Sequence, residues 1–568
     1  MYALAAAKKE IFTALKKALG KKFPLTADML MNPPKPEYGD VSFACFALAK
    51  GMGRNPAEIA AELAAKIGAS KYIKEVKSAG PYVNFYFSES SFNAHVLTDV
   101  SKSKARYGKS TTGKGKKILV EYANLNTHKE VHVGHLRNLS LGLATVRLLR
   151  MNGYDVVPVS YINDLGNNVA RCLWGIEKLH PNEEPEAGER LNFLGKVYTE
   201  ATNAIGDNQV AKDEVSDIQR QLEAMSGQWL ALWKKTHKWS MDGLKEVFAE
   251  FELELDRIYL EHELIDETHA IIKKLLTEGL AKVSEGAVIV DLEAQHLGIN
   301  LLRKTDGTLL YNAKDLALAY KKEDDYHADR SVYVVDARQS LAMQQLAATL
   351  KIIGFPRDVF HLSYDFVTLP EGAMSSRKGN IVPWSDLREA MFTKLSAATI
   401  ERHADWSARK VAANARALTM ASVKFAMLKN DPDKVLTFNM EEAMAHEGFS
   451  APYILYTIAR ISTLLKKADL LPEHHPEFLT ETREQALLRL VAKFPAVIQE
   501  AGASFNPSHV AQYAFELAQE FAGYYESIHI LADENHDRLS ARLELCNAVR
   551  QTLTNAMSTL GITVVKEM

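Results

Sequence analysis

Cysteine is nearly absent: the 568-residue chain has three, Cys45, Cys172 and Cys546. They lie far apart with no CxxC pair, which leaves neither a disulfide framework nor a cysteine-based zinc site, and no metal-ligand set is assigned. Free thiols in a reducing cytoplasm are the expectation. Long apolar runs are missing too. No stretch approaches the ~20 apolar residues that span a bilayer, so no membrane contact is expected. Residues 1–10 lack the basic-then-apolar order of a secretory signal and run directly into a helical pattern over 11–19. Internal repeats and low-complexity tracts are also lacking. What remains is ordinary globular composition: 47% hydrophobic and 24% charged residues exclude a disordered or fibrous chain. The length is about three to four times that of a typical domain, so several cores are expected.

The net charge of −3 conceals an asymmetry, because residues 1–115 carry 18 Lys and Arg against 9 Asp and Glu. Such a surplus is either a solubilising surface or an electrostatic footprint for a polyanion such as RNA, and charge alone does not decide. Residues 1–112 alternate helical stretches, such as the amphipathic 56–67, with a strand-like run over 82–87. A small, polar, basic linker covers 108–117. An apolar strand at 118–122, a helix from near Gly134 and a second strand at 154–161 give the strand–helix–strand order of a parallel α/β sheet. Residues 165–280 are charged and helical and read as an insertion in that sheet, with strand-like runs returning at 286–292, 331–336 and 359–363. Beyond about residue 385 the pattern is nearly all helical. The expectation is a multidomain α/β protein. An N-terminal α+β domain (1–112) precedes a Rossmann-like parallel-sheet domain (113–384), and a helical bundle (385–568) follows.

The chemistry concentrates in residues 121–137, where a strand ends, a turn follows and a helix opens with His132-Val-Gly134-His135. Backbone N–H groups and the dipole at a helix start favour phosphate oxygens. Glycine at 134 lets a flat ring approach the backbone. Two histidines three apart share one face of the first turn and can donate to phosphates. A bare HxGH is more often a pair of capping or surface histidines; the strand–turn–helix context favours phosphate binding. The HxGH form resembles the first signature of class I aminoacyl-tRNA synthetases. The longer pattern Asn126-x-x-Lys129-x-x-His132-x-Gly134-His135-Leu136-Arg137, with Tyr161-Ile-Asn163-Asp164-Leu-Gly166 downstream, resembles the arginyl-tRNA synthetase family in particular.

The second class I signature has the form KMSKS, and Ala373-Met374-Ser375-Ser376-Arg377-Lys378 is similar to it at Met374 and Ser375. Both signature lysines are replaced, by Ala373 and Ser376. An ordinary basic loop is the alternative. The resemblance implies that 374–378 steadies the ATP phosphates, with Lys129 supplying missing charge and Arg377 and Lys378 contributing.

A site for arginine must meet a guanidinium with carboxylates. Tyr311 and Asp315 stand four apart on one helical face and resemble the family's YxxxD element, which implies that both face the arginine side chain. Glu261 resembles a second family carboxylate. Glu121 and Asn126 match positions that hold the substrate's amino and carboxylate groups, and Gln339 matches a further pocket residue. Where the family has histidine and then an aromatic residue after that glutamine, this chain has Ala342 and Met343, so nucleotide contacts from that helix are not carried over. Singly, each carboxylate would more often be a solvated helix charge. The order of matches from 121 to 339 reverses that judgement.

Residues 36–50 and 80–85 resemble the family's N-terminal domain, which approaches the tRNA corner. Residues 452–460, Tyr524, Tyr525 and 560–568 resemble its helical anticodon-binding domain, although a tyrosine at helical spacing is more often core than a stacking platform. The resemblance implies ATP-dependent attachment of L-arginine to tRNA(Arg) through an arginyl-adenylate; Mg²⁺ is expected to accompany ATP, and a cytoplasmic monomer is the default expectation. Two other readings stay open: an RNA-binding paralogue without activation chemistry, suggested by Ala373, Ser376 and Ala342, and a small-molecule nucleotidyltransferase, which would leave both flanking domains without purpose.

Overall fold

The computed structural model describes residues 1–20, 25–370, 372–373, 382–468, 472–565 and 567–568. Near the N-terminus, β1 (Leu30–Met31), β2 (Val41–Ala44), β3 (Ile73–Ala79) and β4 (Tyr82–Phe87) form an antiparallel sheet in the order β1-β2-β4-β3. Val83, Phe85 and Phe87 of the inner strand β4 are buried. The helix Ala3–Leu19 packs on the helices Pro56–Lys66 and Glu89–Ser103 and buries the stripe Ala3, Ala7, Ile11 and Leu15, one residue per turn. Asn55 caps the helix Pro56–Lys66 by accepting from the Ala57 N–H, with proline at the first helical position.

The central sheet is fully parallel. Its strands are β5 (Lys117–Glu121), β6 (Asp155–Ile162), β7 (Arg257–Leu260), β11 (Arg330–Asp336) and β12 (Asp358–Tyr364), in the order β12-β11-β5-β6-β7. Buried apolar runs such as Ile118-Leu119-Val120 suit strands covered on both faces. From β5 the chain winds outward through β6 to β7, then returns to the other side of β5 as β11. The winding therefore reverses between β5 and β11, and open α/β sheets bind ligands outside the carboxyl ends of such neighbours.

Four helices, Asn167–Leu179, Arg190–Ile205, Gln209–Glu223 and Leu230–Glu250, connect β6 to β7. The charged, helical segment read from sequence as an insertion over 165–280 therefore also contains an edge strand of the sheet. β7 has four residues between charged flanks, too few for an alternating pattern to show. Between β7 and β11 lie the helix Ile265–Thr277, a small antiparallel sheet of β8 (Lys282–Ser284), β9 (Ala287–Asp291) and β10 (Ile299–Arg303), and the helix Tyr311–Tyr326.

The helices Trp384–Arg402, Ala408–Leu428, Ala451–Lys467, Thr482–Ser504, Ser508–Ser527 and His536–Thr559 follow. One apolar core runs from the N-terminal domain across the helix Val133–Met151 into this bundle, and a second lies under the inserted helices. The N-terminal domain and the bundle meet at Tyr107. Its hydroxyl donates to the Val491 carbonyl at 2.9 Å and its ring stacks on Phe494. Gly108 follows at φ +95°, where a Cβ would stand 2.5 Å from the Phe494 ring, so only glycine fits the junction. Cys45, Cys172 and Cys546 are buried and free. No helix among the described residues is long and apolar enough to cross a membrane.

Candidate active site

The turn between β5 and the helix Val133–Met151 places two non-glycine residues, Ala123 and His128, at positive φ. Such backbone persists only where its surroundings fix it. The Ala123 N–H donates to Asn138 Oδ1 at 2.7 Å, and Asn138 Nδ2 reaches the Val334 carbonyl at 2.7 Å, bracing the gap between β5 and β11. His128 is buried between the hydroxyls of Thr127 and Thr236, and burial lowers its pKa to about 3.

His132 caps the helix. Its Nδ1 accepts from the Gly134 N–H at 3.1 Å, and His135 Nδ1 accepts from the His132 N–H at 3.2 Å. With both Nδ1 lone pairs committed, each imidazole carries its proton on Nε2. Burial lowers the pKa of His132 to about 4 and that of His135 well below the ordinary value; the nearby Lys129 ammonium pushes the same way in both. At neutral pH the pair therefore presents two uncharged Nε2–H donors beside a lysine cation. Lys129 itself lies over the Tyr198 ring at 4.9 Å. Arg338 also depresses His132, and Asp336 holds its guanidinium through Nε at 2.8 Å and Nη2 at 2.7 Å.

Met374, Ser375, Ser376, Arg377 and Lys378 lie outside the described residues. The segment just after them is joined to the HxGH turn: the Val133 N–H donates to the Val382 carbonyl at 3.1 Å and the Trp384 N–H to the Val131 carbonyl at 2.8 Å. Arg137 is buried and donates to the carbonyls of Asp365, Asp431 and Lys434, which ties the signature helix to the chain leading toward that segment.

Glu121, Asn126, Glu261, Tyr311, Asp315 and Gln339 all line one crevice of about 540 Å³ at the carboxyl ends of the strands. Glu121 is the last residue of β5, Glu261 follows β7, Gln339 lies just beyond β11, and Tyr311 and Asp315 belong to the first turns of the helix Tyr311–Tyr326. Tyr311, 53% exposed, stands at the mouth. The carboxylates differ in their partners. Lys322 pairs with Glu121, which also accepts from Asn124 Nδ2 at 2.8 Å. Lys314 pairs with Glu261, which also accepts from Asn163 Nδ2 at 3.3 Å. Asp315 has no hydrogen-bond or ion-pair partner among the described residues. Burial, followed by the Glu121 charge, raises its pKa to about 7, although Lys322 and Lys314 pull it down.

Sequence reasoning passed over Asn124, Lys314 and Lys322. A signal existed, since Lys314 adjoins Asp315 and Lys322 lies two helical turns beyond it among buried Leu316, Leu318 and Ala319. Met343, where the family's pattern is aromatic, is buried and lines the crevice. Behind the site, Asp164 is fully buried. It accepts from the His262 backbone N–H at 3.0 Å, contacts His262 Nδ1 at 2.5 Å and lies 3.0 Å from His237 Nε2. Burial pushes this carboxyl up, but its contacts with the two histidines outweigh it and hold it below the usual range. These contacts fix the chain on both sides of the crevice, since Asp164 adjoins Asn163 and His262 adjoins Glu261.

The model of the class I tRNA synthetase (R) catalytic domain matches residues 96–439. The chain belongs to the arginyl-tRNA synthetase family. The family's N-terminal domain matches residues 5–87, and the DALR anticodon-binding domain matches 454–568. Among similar proteins, an arginine–tRNA ligase of Bdellovibrio bacteriovorus is 35% identical over 98% of both chains. One of Treponema denticola is 31% identical over 94% of both. The solved arginyl-tRNA synthetase of Thermus thermophilus superposes with a TM-score of 0.82 at 24% identity, over 99% of this chain and all of that one; at that identity the likeness concerns the fold.

Proposed function

We propose that this chain attaches L-arginine to tRNA(Arg) with the switch-point crevice as its amino-acid site. The observation that carries this reading is Asp315, a carboxylate without a partner among the described residues, in a crevice whose other carboxylates, Glu121, Glu261 and Asp336, are already paired. A planar guanidinium matches such a group through two parallel N–H donors. Glu121 and Asn126, at the β5 end, take the substrate's amino and carboxylate groups, and Tyr311 and Gln339 border the side chain.

The reaction has two steps. The arginine carboxylate attacks the α-phosphorus of ATP, forming arginyl-adenylate and releasing pyrophosphate. The terminal adenosine hydroxyl of tRNA then attacks the acyl carbon and displaces AMP. No protein nucleophile takes part. The chain contributes position and preorganised donors toward charge building on phosphate oxygens: the Nε2–H groups of His132 and His135, the Lys129 ammonium and residues 374–378. Gly134 keeps the helix start open to the nucleotide. This end of the site offers donors and cations in place of a carboxylate cage, which fits Mg²⁺ arriving on the phosphates of ATP. The bundle suits the anticodon end of tRNA: exposed Tyr456 and Tyr525 flank the Arg460 guanidinium at 4.8 and 5.0 Å. The acting species is taken as a cytoplasmic monomer.

Charging total tRNA with each labelled amino acid in turn, plus ATP and Mg²⁺, tests the reading. Arginine alone is expected to attach. Attachment of another amino acid would refute the pocket assignment, and binding of tRNA without any charging would identify a non-catalytic RNA-binding protein.

A further inference from the structure

We infer that Lys314 and Lys322 are positioning residues that set the charge of the arginine site, each balancing one carboxylate so that Asp315 is the carboxylate left unpaired for the guanidinium. The inference rests on the crevice being that site. Lys314 and Lys322 are each 2% exposed, and their ammonium groups are paired with Glu261 and Glu121, themselves 5% and 3% exposed. Lysine is almost never buried without a counter-charge, and a buried pair gains only when further hydrogen bonds satisfy the remaining atoms. Both pairs have them: Asn163 donates to Glu261 and Asn124 to Glu121. Lys322 also lies 3.9 Å over the Tyr333 ring.

Among Glu121, Glu261, Asp315, Lys314 and Lys322, three carboxylates against two ammonium groups leave one net negative charge; of the other charged residues lining the crevice, Asp336 is paired with Arg338 and Lys304 is exposed. Arginine brings a zwitterionic backbone and one guanidinium, which balances the charge of these five groups. Glu121 and Glu261 then act as fixed, oriented acceptors, held in place by their lysines. Without Lys314, Glu261 would stand as a second free carboxylate near Asp315, and like charges in one buried site force a proton onto one of them. The groups facing Asp315 come from several elements: Glu121 on β5, Tyr161 on β6, Glu261 after β7, Tyr333 on β11, and Lys314 and Lys322 on its own helix. Glu223, on the helix Gln209–Glu223, makes a second and longer ion-pair contact with Lys314 at 3.9 Å.

The test is the pH dependence of the arginine KM in tRNA charging, with the ATP KM measured alongside. Lys314→Met and Lys322→Met should each raise the arginine KM about tenfold or more while the ATP KM moves less than about threefold. Each should also move the midpoint of the arginine KM profile upward by about one pH unit. Lys314→Arg and Lys322→Arg keep the charge and should keep the midpoint. The doubles Lys314→Met/Glu261→Gln and Lys322→Met/Glu121→Gln remove a charge of each sign, so the midpoint should return to that of the parent, whatever the KM. A folded methionine variant with an unmoved midpoint overturns the inference. Where a single variant does not fold, its double decides, and a midpoint displaced there overturns it equally. Failure of the parent chain to charge arginine is a separate result, which sinks the site assignment and not the lysine pairs.

Discussion

In the proposed reading, substrate choice turns on Asp315. Burial and the nearby Glu121 charge push its pKa up to about 7, so near neutral pH it is divided between acid and carboxylate. A guanidinium requires the carboxylate. The arginine KM should therefore fall as pH rises through about 7 and level off above it, while the ATP KM stays flat across the same range; a profile without an inflection near that pH would contradict the assignment. Asp315→Asn should raise the arginine KM by about 30-fold or more, as expected when one side of a buried charge pair is removed, and leave the ATP KM within about threefold. His135→Ala should behave in the opposite way: turnover falls by about two orders of magnitude with the arginine KM nearly kept, the loss typical of one donor to a developing charge. Of the site's residues, those with a recognisable spacing were legible in the sequence, including His132, His135, Tyr311 and Asp315. Lys314 and Lys322 were not, because a lysine on a charged helix is normally solvated, and only the fold turns those two inward.

The element that organises the site is the helix Val133–Met151. Its first turn presents the histidines, Asn138 braces the sheet and Arg137 grips three carbonyls from the neighbouring chain. The helix lies so close to the end of β5 that a Cβ on Gly142 would stand 2.1 Å from the Tyr122 ring, with the Tyr122 Cβ at 2.4 Å. Gly142→Ala should accordingly destabilise the fold by about 1–3 kcal/mol, the usual range for overpacking, and lower activity by displacing neighbouring Glu121. Thermal unfolding and the charging rate check this, and a variant as stable and active as its parent would show that the contact yields freely. The strand–helix–strand order around this element was legible because apolar runs and a helical period alternate there. β7 was not, since four residues among charges carry no periodic signal and gain their strand geometry from β6.

At the scale of the whole molecule, the parallel sheet stands in chain order between a basic N-terminal domain and a helical bundle, which also touch each other at Tyr107, and all three share one apolar core. The surplus of nine positive charges over residues 1–115, 18 Lys and Arg against 9 Asp and Glu, acquires meaning in that frame. If that face tracks the tRNA backbone, the tRNA KM should rise steeply with salt through counterion release, while the arginine KM changes little. Replacing exposed lysines of the N-terminal domain, such as Lys71, Lys74 and Lys77, should flatten that slope. An unchanged slope would assign the charge to solubility. Net charge alone could not separate these uses, because it records neither the position of the charges nor what faces them.

The most direct measurement is a solved complex with arginine and a non-hydrolysable ATP analogue. The account places the guanidinium on the Asp315 carboxylate at hydrogen-bond distance, with Glu261 and Glu121 still paired to Lys314 and Lys322 and the phosphates against His132 and His135. A guanidinium bound away from Asp315, or phosphates lying off the start of the helix Val133–Met151, would contradict it.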